Sequence, residues 1–155
     1  MTTTPAHQET EADLRALVNA IRRSEAIIRF TPDGTILHAN DNFLNALGYT
    51  LEEVRGKHHR MFCDQSMTSS SEYAAHWQSL RAGEFVAGEF RRISKSGDDV
   101  WIRASYNPVF GTDGSVETVV KIARSITASK RVSLGVERAL NGLAQTDFEE
   151  LPATP

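Results

Sequence analysis

One cysteine, Cys63, is all the thiol chemistry the sequence carries, so no internal disulfide can form and a reducing compartment is the simplest expectation. No run approaches the roughly 20 consecutive apolar residues that a bilayer-spanning helix needs. The opening MTTTPAHQETEADL is too polar for a secretory core. The chain is therefore expected to be soluble and cytoplasmic, with no membrane partner. A basic excess is missing too: 17 Lys and Arg against 20 Asp and Glu give a formal charge of -3. The short clusters RRSEAIIR and FRRISK read as solvated faces, so no nucleic-acid partner is expected. Catalytic signatures are equally scarce. There is no Gly-x-Ser-x-Gly elbow, no phosphate-binding loop and no metal cluster of the usual spacing, and the adjacent pairs Glu52-Glu53 and Asp98-Asp99 point their carboxylates apart. An enzyme is not expected.

What is present is enough for one packed domain with helical extensions: 155 residues, 40% of them hydrophobic. Residues 1–8 read as a disordered start. Leu14, Leu17, Val18 and Ile21 then recur at helical intervals, with acidic residues early and Arg22 and Arg23 late, the order the helix dipole favours. AIIRF and TILHAN flank Pro32-Asp33-Gly34 as a hairpin, and Asn40 or Asp41 caps the short helix DNFLNALGY. Thr50 and Glu53 have the spacing of a capping box. SSSEYAAHWQSLRAG reads as a longer helix with Tyr73, Trp77 and Leu80 on its apolar stripe and Gly83 at its end. Three strands follow, FVAGEFRRIS, DDVWIRASYNPVF and SVETVVKIARSI, joined through Lys95–Asp98 and Gly111–Gly114 as antiparallel hairpins. A last helix begins at Thr127 or Ser129. It carries Val132, Val136, Leu140 and Leu143 as a coiled-coil-like seam, weakened by Gly135 and Gly142, and DFEELPATP is expected to fray.

This order of elements, together with FTPDGTILHANDNF, LGYTLEEVRGK, RRISKSGDDVWI and the closing SIT, resembles the PAS sensory fold over residues 26–127. The phrases GKHHRMFC, SEYxxxW, GEFxxGEFRR and ASYNPV are similar to the PAS domains of bacterial methyl-accepting chemotaxis proteins, the aerotaxis and redox transducers among them. The resemblance implies an α+β fold: a five-stranded antiparallel sheet with short helices on one face, flanked by amphipathic helices. It implies three segments: a tail and helix over 1–25, a sensor domain over 26–127, and a signalling helix with a frayed tail over 128–155. It implies a non-enzymatic sensor that passes ligand or redox state to the exit helix, and chemotaxis signalling proteins as partners through a downstream hairpin that is absent. One departure is Ser125-Ile126-Thr127, where the family commonly has Asp-Ile-Thr; serine keeps a hydrogen bond but no charge.

The same resemblance nominates pocket residues. His58 and His59 fall in the short helix that borders the ligand in PAS domains; either can line a pocket or bind haem iron, or simply be a hydrogen-bonded histidine. The flavin-reactive cysteine of light-sensing relatives is replaced at His59. Cys63 is expected to be a small buried side chain. His76 lies on the long helix that supplies the iron ligand of haem PAS sensors, though out of register by more than a turn, and is the metal candidate. Asn40 aligns with a flavin-contacting asparagine of aerotaxis relatives while also serving as a cap. Trp101 resembles the matching strand, and Asn107 offers a polar group to a flavin edge, but Val86 stands where those relatives keep a tryptophan. FAD, haem and an empty core therefore all stay open. Leu14, Leu17, Val18 and Ile21 either cover the exposed face of the sheet or, with the C-terminal helix, make a homodimer. A cofactor-free dimerisation and interaction module is the alternative function.

Overall fold

The computed structural model describes residues 8–146, so what is expected of residues 1–7 and 147–155 lies outside the described residues. Helix α1 covers Glu11–Ser24 and opens on a capping box that the sequence reading did not identify: Thr10 Oγ1 accepts from the Asp13 amide at 3.1 Å, and Asp13 Oδ2 accepts from the Thr10 amide at 2.9 Å. Strands β1 (Ala26–Phe30) and β2 (Ile36–Ala39) pair antiparallel around the expected turn, where Gly34 takes a φ of +91°. Asn40 caps α2 (Asp41–Leu47). Thr50 and Glu53 form their reciprocal box at the start of α3 (Leu51–Val54). A 3-10 turn (His59–Phe62), α4 (Gln65–Thr68) and α5 (Ser71–Arg81) follow.

Three long strands, β3 (Val86–Ile93), β4 (Asp99–Phe110) and β5 (Val116–Ser125), complete one antiparallel sheet in the order β2-β1-β5-β4-β3. Because β1 pairs with β5, the segment between β2 and β3 must cross from one edge of the sheet to the other. It crosses over a single face, and α2 to α5 are that crossing. Alternation then decides what is buried. Ile102, Ala104 and Tyr106 of β4, Val119 and Ala123 of β5, and Ile28 and Phe30 of β1 pack against Phe43, Leu44, Leu47, Val54, Phe62, Trp77 and Leu80 from the crossing helices.

The opposite face carries Trp101, Arg103, Ser105 and Asn107 of β4. Helix α1 does not cover it in the single chain: none of its residues is buried, and Leu14, Leu17 and Val18 stay exposed. The helix is tied down at its end instead, where the Arg22, Arg23 and Glu25 carbonyls accept from the side-chain amides of Asn40 and Asn42. After β5 the backbone enters α6 (Thr127–Thr146), whose Val132, Val136, Leu140 and Leu143 are also exposed.

Candidate functional site

The two adjacent histidines are separated by the backbone that holds them. The Ile36 amide donates to Lys57 O at 2.8 Å and the His59 amide to Gly34 O at 2.9 Å, pinning residues 57–59 to the start of β2. His58 consequently faces the turn before β2. Its Nε2 lies 2.7 Å from Asp33 O, and its Nδ1 accepts from the Arg60 amide at 3.1 Å. A carbonyl only accepts and an amide only donates, so the proton sits on Nε2 and neither nitrogen is left over. Burial is the main cause holding His58 below its ordinary pKa. It works as the cap of the 3-10 turn.

His59 faces inward and is fully buried. Its Nδ1 is 2.9 Å from the Tyr73 hydroxyl and its Nε2 is 3.1 Å from the Tyr106 hydroxyl. Arg92 Nη2 donates to that same Tyr106 oxygen at 2.9 Å. Having accepted from Arg92, the hydroxyl turns its own proton toward His59 Nε2, and Nδ1–H donates to Tyr73. The result is a polarised chain, Arg92 to Tyr106 to His59 to Tyr73, built on a neutral imidazole. Burial first, then the Lys121 and Arg92 charges, holds His59 well below the usual histidine range. Burial pushes the Tyr73 phenol up to about 12. Cys63 Sγ is 3.6 Å from His59 Nδ1, and burial raises its thiol pKa, the reverse of an activated cysteine.

His76 reaches the same cluster from α5, its ring centroid 4.5 Å from that of Tyr106 and 6.3 Å from that of His59. Its Nε2 is buried without a hydrogen-bond partner, and burial lowers its pKa to about 4. Two cations that the sequence reading missed complete the cluster. Lys121 is 0% exposed with its Nζ 4.9 Å from the Tyr106 ring centroid, and Arg92 is 2% exposed. Arg92 corrects the reading of FRRISK as a solvated face. The signal was available in the alternation: Phe90-x-Arg92 and Val119-x-Lys121-x-Ala123 put both cations in phase with buried neighbours.

The other nominated residues lie elsewhere. Asn40 Oδ1 accepts from the Ile27 and Phe43 amides at 2.9 and 3.0 Å, and Nδ2 donates to Glu25 O at 2.8 Å and Arg22 O at 3.1 Å. Trp101 and Asn107 share the outer face of β4, one residue out of phase with Ile102 and Tyr106. Trp101 lies under Lys130 Nζ at 5.0 Å, and Asn107 Nδ2 donates to Val120 O at 3.0 Å. The structure thus joins His59 to His76, sets His58 at the turn beside them, and does not bring Asn40, Trp101 or Asn107 into the cluster. Asn40 has both ends of its amide committed to backbone, and Asn107 lies on the outer face of the sheet with its Nδ2 committed. The unpartnered His76 Nε2 does fit an iron ligand in donor type. Among the described residues, no group of three or more His, Cys, Asp or Glu side chains is arranged to hold a metal ion.

A family model described as PAS fold matches residues 36–123, more than half of the chain. The biofilm dispersion protein BdlA of Pseudomonas aeruginosa is 42% identical over 125 residues, covering 81% of this chain and 30% of that protein. The aerotaxis receptor of Escherichia coli is 30% identical over 118 residues, covering 65% of this chain and 23% of the receptor. The chain therefore spans less than a third of the length of these relatives. A crystal structure of a PAS domain from Colwellia psychrerythraea superposes with a TM-score of 0.64 at 22% identity, over 74% of this chain and 98% of that one, which is a likeness of fold.

Proposed function

The chain belongs to the PAS family as a sensor domain related to those of chemotaxis and aerotaxis transducers, and we propose that it reports the state of the cluster around His59 through its exit helix. In this reading residues 26–127 sense, residues 128–155 relay, and residues 1–25 supply an accessory helix, all within a cytoplasmic part of a longer chemotaxis receptor that acts on signalling proteins downstream. His59 and His76 carry the sensing, with His58 holding the turn that positions them. A haem bound through His76 would supply oxygen or redox chemistry; the protein's part is to exclude water and present that nitrogen.

One observation carries this reading. Lys121, packed on Tyr106 in the core, lies on the strand that continues past Ser125 into α6. The junction is braced on β4, where the Ile126 amide donates to Trp101 O at 2.8 Å and the Trp101 amide to Thr127 Oγ1 at 3.1 Å, and on β3, where Lys130 reaches Glu89 at 2.8 Å. A change in how β5 packs against Tyr106 is thereby transmitted to the first turn of the helix. Ser125 bonds Thr127 at 3.1 Å, and Arg124 grips Glu25 through Nε at 2.8 and 2.9 Å, joining the end of β5 to the end of α1. The test is hydrogen exchange of residues 127–146 in air-oxidised and dithionite-reduced protein, beside an absorption spectrum. Altered protection with a Soret or flavin band is expected; identical exchange refutes the relay.

The exposed apolar residues of α1 and α6 favour a second reading, a cofactor-free dimerisation and interaction module in which Leu14, Leu17, Val18, Ile21 and the α6 stripe cover one another between two copies. A flat spectrum with a dimeric mass by light scattering would establish it over the first.

A further inference from the structure

A buried cation in a folded protein normally faces a carboxylate, because removing an ionic group from water without a partner is costly. This core holds two basic side chains and, among the described residues, no such partner; burial, then the Arg92 charge, holds Lys121 well below its ordinary pKa. Arg92 and Lys121 are 2% and 0% exposed, and among the described residues neither forms an ion pair with an acidic side chain. Arg92 spends Nη1 on Arg91 O at 2.8 Å and Nη2 on Tyr106 Oη at 2.9 Å, while its Nε–H is buried and unpartnered. Lys121 Nζ is buried with no hydrogen-bond partner at all. Aromatic faces offset only part of this: Arg92 lies 5.0 Å from the Phe90 ring, and Lys121 lies 4.9 Å from Tyr106 and 5.7 Å from Phe43. The two cations converge on one tyrosine from the strands on either side of it, β3 and β5, so they also repel each other.

We propose that the inner face of the sheet is an anion site, in which Arg92 Nε and Lys121 Nζ receive the carboxylate of a small organic ligand. The proposal rests on the reading of this core as the sensing site and names the chemistry it recognises. A carboxylate matches the unpartnered donors: one oxygen for the Arg92 Nε–H, one for the Lys121 ammonium. Ligand entry is by way of the 570 Å³ surface groove lined by Asp33, His58, Arg60, Tyr73, Trp77 and Arg81, since Tyr73 and Trp77 also pack on His59. The carboxylate belongs either to a free organic acid or to the acidic arm of a cofactor such as haem.

The experiment is a thermal-denaturation series on the full chain in sodium benzoate, acetate, phosphate and chloride at equal ionic strength, with native mass spectrometry of freshly purified protein. A carboxylate one hundred-fold above its Kd raises the midpoint by about 8 °C, or the protein arrives with an acid already bound that the spectrum registers as added mass. Haem in that spectrum assigns the carboxylate to the cofactor, and a colourless acid assigns it to a free ligand. Lys121→Met abolishes the response, Lys121→Arg retains it, and circular dichroism shows both folded; should the methionine variant not fold, Arg92→Lys must weaken the response. Equal midpoints in all four salts with no retained mass would overturn the proposal, as would a response to phosphate alone. Binding without any change of exchange in residues 127–146 would leave the anion site standing and remove the sensor reading instead.

Discussion

Replacing Asn40 by alanine should cost about 2.5 kcal/mol of folding stability, as the sum of separable losses. The α2 cap contributes about 1 kcal/mol. The Ile27 amide, part-buried and left without its 2.9 Å acceptor, adds about 1 to 1.5 kcal/mol. The Glu25 and Arg22 carbonyls lose less, a few tenths of a kcal/mol each by order of magnitude, because Asn42 Nδ2 still donates to them at 3.1 and 3.3 Å. For a domain of this size the total lowers the melting temperature by about 7 °C. Asn40→Asp keeps both acceptances but turns a carboxylate oxygen toward two carbonyls, so it should fall between alanine and the native protein. Urea denaturation at neutral pH measures all three. An alanine variant within about 0.5 kcal/mol of the native protein, a range typical of neutral surface changes, would refute the clamp. So would one that melts normally but loses a bound chromophore, since Asn40 would then serve a ligand rather than the backbone.

Acid should loosen the core before it affects the surface. Unfolded histidine takes up a proton as the pH falls through 6.5, whereas folded His76 waits until about 4 and buried His59 is held well below its ordinary value. The unfolded chain therefore binds more protons in that window, and stability declines as the pH falls through it, by up to about 1.4 kcal/mol per pH unit for each histidine. Solvent screening of the partly exposed His76 reduces its share to about 2 kcal/mol in all. Urea midpoints at neutral pH and at about pH 4.5 should differ less in His76→Phe than in the native protein; an equal difference would refute this. Gly34→Ala should cost at least about 2 kcal/mol, because φ is +91° and the new Cβ would stand 2.7 Å from His58 Nε2 and 3.1 Å from Trp77 Cε2. Chemical denaturation of that variant checks it, and native stability would disprove the crowding. Gly135→Ala with Gly142→Ala should stabilise α6 by about 1 kcal/mol per site, as among the described residues no atom beyond the adjacent residues and the local helix backbone lies within 4 Å of either added methyl. An unchanged far-UV helical signal would count against a continuous helix.

Much of this fold was legible along the chain because its signals are local. Pro32-Asp33-Gly34, Gly97 and Gly114 mark turns that need positive φ, and each has it. Thr50 with Glu53, Asn40 and Ser70 mark helix starts by accepting from the amide three residues ahead. The site was less legible. Asn40, Trp101 and Asn107 were nominated by resemblance. Yet a residue's phase on its strand decides the face it occupies, and Trp101 and Asn107 are out of phase with Tyr106.

Period, capping and turn chemistry thus let the sequence by itself determine the elements, their order and the antiparallel hairpins, since each depends on residues a few positions apart. Only the tertiary structure decided that β1 lies against β5, that α1 leaves the sheet uncovered, and that Arg92, Lys121, His59, His76 and Tyr106 meet. Those residues come from separate strands and helices. What brings them together is the burial of one sheet face under the crossing helices, an energy that belongs to the whole chain and is written in no single stretch of it.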